Sequence, residues 1–169
     1  MSDSYELENN AIDGEDEIGS FNHSLAQLRI GHLLDLDDRF TVLTELSLNV
    51  SQHDLSKHKI GAKDELKPDV CVYLECPIIP DDDLLVVSKM PDLVIEILSP
   101  RQSINYLIRK IKAFFALGVK SCWLVIPGNK SITVYSQPNQ YKTFDAQRDT
   151  ELVDEVMDIR LPIQKAFRK

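Results

Sequence analysis

A mixed α/β fold of the α+β type, with helices packed against a central sheet, is predicted by three features of this 169-residue chain. Two short apolar runs, PDVCVYLE and PDLVIEILSP, each open on Pro-Asp and read as strands of a well-covered sheet. Between them and two further strand-like runs, SCWLVIP and SITVYS, lies SINYLIRKIKAFFALG, whose apolar residues recur at helical spacing. A helix set between strands in this way calls for a layered α+β domain.

The elements follow in order. NHSLAQLRIGHLLDL carries apolar residues at 25, 28, 30, 33 and 34, and Asn22 or Ser24 can cap it, so a helix is expected over 22–36. FTVLTELSLNV is β-branched and alternating and reads as one strand; SQHDLSKHKIGAKDELK is polar and reads as a loop. The two Pro-Asp runs form the next two strands, expected to pair antiparallel. In the following helix Ile104, Leu107, Ile108, Ile111, Phe114 and Phe115 form the stripe, and Gly118 ends it. SCWLVIP and SITVYS flank the turn-forming GNK, and DIRLPIQKAF supplies a strand fragment and a short terminal helix. The order is α-β-β-β-α-β-β, with residues 21–169 as one domain.

Charge is distributed unevenly. Residues 1–20 hold seven acids and no base, whereas 101–144 hold seven bases (Arg101, Arg109, Lys110, Lys112, Lys120, Lys130 and Lys142) and no acid, within a net charge of −8. The leader reads as a solvated, disordered tail; alternatively it folds back over the basic segment and weakens non-specific DNA binding. Cys71, Cys76 and Cys122 make neither an even framework nor a CxxC pair, no apolar run is long enough for a membrane helix, and the first residues do not form a secretory signal, so a reducing cytoplasm is expected.

Glu96 stands inside the apolar run VIEIL, where a buried carboxylate needs a cation, a proton or a metal ion. If the Pro-Asp strands pair antiparallel, Asp69 at the start of one converges on Glu96 late in the other. Asp92 does not: four residues at about 3.3 Å each put it roughly 13 Å away from Glu96. A basic group is also required for phosphate chemistry. Lys110 and Lys112 flank opposite margins of the helical stripe, and spacing alone does not choose between them.

KPDVCVY, PDLVIEILSP and LIRKIKAFFALGVKSCWLV followed by ITVY resemble a bacterial family of restriction endonuclease-like proteins, a branch of the PD-(D/E)XK phosphodiesterase superfamily. NHSLAQLRIG, VLTELSL and LPIQKAF are similar to that family's ends, so the resemblance spans about 20–168. It implies a restriction endonuclease-like core, a mixed sheet flanked by helices, and Mg²⁺ (or Mn²⁺) held by Asp69 and Glu96. The superfamily lysine two residues after the acid is replaced by Leu98, and the match moves that role to Lys110 on the following helix. The extra acid that many members carry on the first helix is missing; Glu45 is the nearest candidate, against a plain exposed strand position. His23 matches a recurrent family position but reads equally as a capping or packing residue.

The resemblance implies metal-dependent endonucleolytic hydrolysis of DNA, with the 101–144 segment receiving the backbone and a homodimer cutting both strands. Two alternatives remain: an inactive nuclease-fold binding or assembly module, and a metal-dependent hydrolase of RNA or another phosphoester. No sequence-reading module is recognisable.

Overall fold

The computed structural model describes residues 19–75 and 79–167. The expected acidic tail lies outside these residues apart from Gly19 and Ser20, as does Cys76.

The first helix, α1, spans Phe21–Asp35. Its cap is Ser20, not Asn22 or Ser24: Ser20 is extended and its hydroxyl accepts the His23 N–H at 3.2 Å. Its buried face is His23, Ala26, Ile30, Gly31 and Leu34, an i, i+3, i+4 progression that leaves Leu28 outside, contrary to the expected stripe.

The expected single strand after α1 is two. β1 (Thr41–Thr44) ends at Glu45, whose φ of 53° turns the chain out of the sheet, and β2 (Leu48–Asn49) pairs instead with β3 (Glu65–Leu66). The segment expected as loop therefore holds β3 and a 3₁₀ turn at Ser56–His58. The Pro-Asp strands are β4 (Val70–Tyr73) and β5 (Leu93–Ile97), antiparallel as expected. Then follow α2 (Ile104–Ala116), β6 (Ser121–Ile126), β7 (Ser131–Gln137), β8 (Gln140–Asp145), β9 (Leu152–Asp154), β10 (Ile159–Leu161) and α3 (Ile163–Phe167). β8 and β9 were not expected from the sequence.

β1, β4, β5, β6, β7 and β8 form one mixed sheet in that spatial order. Only β5 and β6 run parallel within it, so the chain must cross over between them, and α2 is that crossover. Alternation along β5 divides the core. Leu93, Ile95 and Ile97 pack with Ile30, Leu34 and Trp123 on the α1 side, while Val94 packs with Leu107, Ile111 and Phe114 on the α2 side. α2 ends in a two-bond glycine cap: Gly118, at φ 99°, donates to the Phe115 carbonyl, and Val119 donates to that of Phe114. That stop leaves Tyr106, Leu107, Lys110, Ile111, Ala113 and Phe114 as the buried face; Ile104, expected in the stripe, is exposed.

Candidate active site

Val70 stands opposite Ile95 in the β4–β5 ladder, and continuing that register one step sets Asp69 opposite Glu96. The ladder itself ends there. Where the next backbone bond would form, the Asp69 carboxylate substitutes for a carbonyl and its Oδ2 accepts the Ile97 N–H at 2.7 Å. Asp69 thus belongs to the sheet through its side chain, which remains 19% exposed.

Glu96 lies on the same face of β5 as Val94, toward α2, and is 1% exposed. Lys110 meets it there. The ammonium lies 2.9 Å from Glu96 Oε1 and donates to the Lys67 carbonyl at 2.7 Å, with a Lys110 exposure of 3%. Burial alone would lower the lysine pKa, but the neighbouring Glu96 carboxylate, helped by Asp69, outweighs it and raises the value above 10.5. Lys110, and not the exposed Lys112, is the lysine that the sheet brings beside Glu96.

The third element is α1. His23 Nε2 lies 3.1 Å from Asp69 Oδ1, and Gln27, one turn on, donates from Nε2 to the Asp69 carbonyl at 2.9 Å. The hydrogen bond to Asp69 raises the His23 pKa above 6.5, burial and Lys110 oppose it, and the charges of Asp69 and Glu45 add to the increase. Glu45 is an exposed residue of the β1 turn; its N–H donates to the Asp69 carbonyl at 3.1 Å. All four sequence candidates, Asp69, Glu96, Lys110 and Glu45, are thus at one end of the β4–β5 pair. His23 and Gln27 join them, the first given no role by sequence and the second not noticed.

Asp92 occupies the opposite end. Its carboxylate accepts the Leu74 N–H at 2.8 Å and pairs with Lys120 at 2.9 Å, so it fastens β5 to its neighbours at the far end. Among the seven bases of 101–144, Lys110 and Lys120 form ion pairs with Glu96 and Asp92, and Lys112, Lys130 and Lys142 are exposed. Among the described residues no group of three His, Cys, Asp or Glu forms a potential metal cage, and no helix is long and apolar enough to cross a membrane.

A family model described as Uma2, "Putative restriction endonuclease", matches residues 3–164. The chain belongs to this family. As a Uma2 protein it shares its fold with a crystal structure from Anabaena variabilis described as a "putative nuclease belonging to DUF820": the TM-score is 0.66 at 21% identity, covering 89% of this chain and 82% of that one. No curated protein matches the Uma2 chain described here. The family expected from KPDVCVY and PDLVIEILSP is the family found, and the mixed sheet flanked by helices agrees with the expected fold.

Proposed function

We propose that this protein is a divalent-metal-dependent endonuclease that hydrolyses DNA phosphodiester bonds, with Asp69 and Glu96 holding the ion. The observation that carries this reading is the register: the antiparallel pair sets Asp69 opposite Glu96, and Lys110 stands 2.9 Å from the latter. Membership of the Uma2 family supports it.

The donor set fits magnesium. Mg²⁺ commonly takes one or two protein carboxylates and completes its shell with water and phosphate, so the hard carboxylate oxygens of Asp69 and Glu96 suit it. When bound, such an ion supplies Lewis acidity to the phosphate and activates a water. The protein's own residues do the rest. Lys110 supplies the positive charge that a carboxylate as buried as Glu96 requires. The Lys110 ammonium donates to the Lys67 carbonyl and faces Glu96 Oε1 at 2.9 Å, so it ties the start of β4 and the end of β5 to α2. Glu45, beside Asp69 in sequence-distant but adjacent backbone, adds negative charge at the open side. Exposed bases such as Lys112 and Lys142 would meet the DNA backbone, and pairing of two copies would address both strands.

Plasmid nicking in Mg²⁺ by wild type, Asp69→Ala, Glu96→Ala and Lys110→Ala tests the assignment. Loss of nicking in the variants is expected; equal cleavage by all four proteins would sink it. Parallel assays on duplex DNA, single strands and RNA read the substrate class, and light scattering reads the oligomer.

One observation favours a second reading, a nuclease-fold binding or assembly module. Glu96 and Lys110 are both sealed from solvent, as a purely structural ion pair would be. Calorimetric Mn²⁺ binding that disappears in Asp69→Ala and Glu96→Ala supports the enzyme; absence of binding in wild type supports the module.

A further inference from the structure

His23 and Gln27 are one helical turn apart on α1 and both are directed at a single residue, Asp69. His23 approaches carboxylate Oδ1 at 3.1 Å; Gln27 donates to the main-chain carbonyl at 2.9 Å. Oδ2 is already held by the Ile97 N–H, and the carbonyl also takes the Glu45 N–H. Helix, neighbouring strand and preceding turn thus grip the same residue from three directions.

Packing does not require these residue types. On the same helix, contact with the core is made by Ala26, Ile30 and Leu34, and burying polar groups in place of such residues costs free energy unless a specific bond is gained. The imidazole gains little else. Among the described residues its Nδ1 is buried without a hydrogen-bond partner, so Asp69 is the polar contact that its side chain makes.

We propose that His23 and Gln27 are positioning residues, a two-point clamp that fixes the Asp69 carboxylate for binding a divalent cation. This rests on the reading above, that Asp69 helps to hold the ion. A residue at the mouth of a strand has side-chain freedom that would have to be frozen on binding; the clamp freezes it in advance. Each carboxylate oxygen has two lone pairs, so an oxygen that accepts a hydrogen bond retains a direction for a cation. Gln27 adds the main-chain anchor that the imidazole cannot provide. α1 is then part of the site and not merely its support.

The test is Mn²⁺ titration calorimetry on the full chain, with thermal unfolding in EDTA as an independent measure of folding. His23→Ala and Gln27→Met are expected to weaken Mn²⁺ binding by about 10–100-fold, the usual range for losing a partner that orients a metal ligand. His23→Gln, which restores an N–H donor at nearly the same reach, is expected to recover most of that loss. Should His23→Ala fail to fold, Gln27→Met and His23→Gln still decide the matter. Wild-type or tighter Mn²⁺ binding by folded clamp variants would overturn the proposal, as would lost nicking with unchanged affinity. Asp69→Ala separates the two readings: if it abolishes Mn²⁺ binding while the clamp variants bind normally, the clamp alone falls, and if it binds as wild type does, both fall.

Discussion

Lys110 reaches from the middle of α2 to set its ammonium 2.9 Å from the Glu96 carboxylate, with 4% and 1% of the two side chains exposed. An ion pair so fully removed from water gains strong attraction but loses the hydration of both groups. Removing one member should therefore differ sharply from removing both. Lys110→Met is expected to cost about 3–5 kcal/mol, because it leaves a buried carboxylate without its cation, and adding Glu96→Leu should restore much of that. Urea unfolding measures both; a Lys110→Met protein as stable as wild type would contradict the pairing.

The His23–Asp69 contact predicts a pH dependence of definite sign. The His23 pKa is raised above 6.5 in the folded chain, chiefly by the hydrogen bond to Asp69. The charged imidazole therefore favours folding: its contribution is fully present below about pH 6.5 and is lost as pH rises through the higher folded value. The unfolding temperature of wild type relative to His23→Gln should fall across that window. A difference that stays constant from acid to alkaline pH would count against the contact.

Asp154 offers a probe outside the site. Buried at the end of β9, it accepts Ser121 Oγ at 2.6 Å, the Trp123 indole N–H at 2.7 Å and the Met157 N–H at 3.0 Å. Asp154→Leu strands the indole donor and the Met157 amide, at about 1–3 kcal/mol for each group left unsatisfied. The chain has one tryptophan, so its emission reports this site alone. A shifted spectrum with a lower unfolding midpoint is the expected result.

Gly118 sets where α2 stops. A Cβ at this position would meet nothing within 4 Å, so the penalty for Gly118→Ala is confined to the backbone at φ 99°. About 1–2 kcal/mol of destabilisation is expected, without loss of helix content by circular dichroism. No change in stability would show that the cap adopts another geometry.

Much of this arrangement was readable because strong local patterns coincided with tertiary need. The Pro-Asp runs became β4 and β5 since both are apolar throughout, and Lys110 could be shortlisted because it borders the Leu107, Ile111 and Phe114 stripe. Helix spacing alone could not prefer it to Lys112; the resemblance did, and the structure sets it 2.9 Å from Glu96. The turn at Glu45 was hidden: TVLTELSLN alternates like one strand, and the pairing of β2 with β3 explains the break. β8 was missed because QYKTFD, on the sheet edge, exposes its first four residues and lacks an apolar pattern. His23 and Gln27 do carry a signal, the i, i+4 spacing of HSLAQ, but spacing cannot say that the shared face looks onto Asp69.

The buried carboxylate of β5 also guards the chain against misassembly. A one-residue slip of β5 would turn Glu96 to the opposite face, among Ile30, Leu34 and Trp123, and move it away from Lys110. Strands made only of Val, Ile and Leu would tolerate such an error, since either face would remain greasy. Here the wrong alignment strands two opposite charges in separate layers of the core, so one glutamate makes the slipped register costlier than the native one.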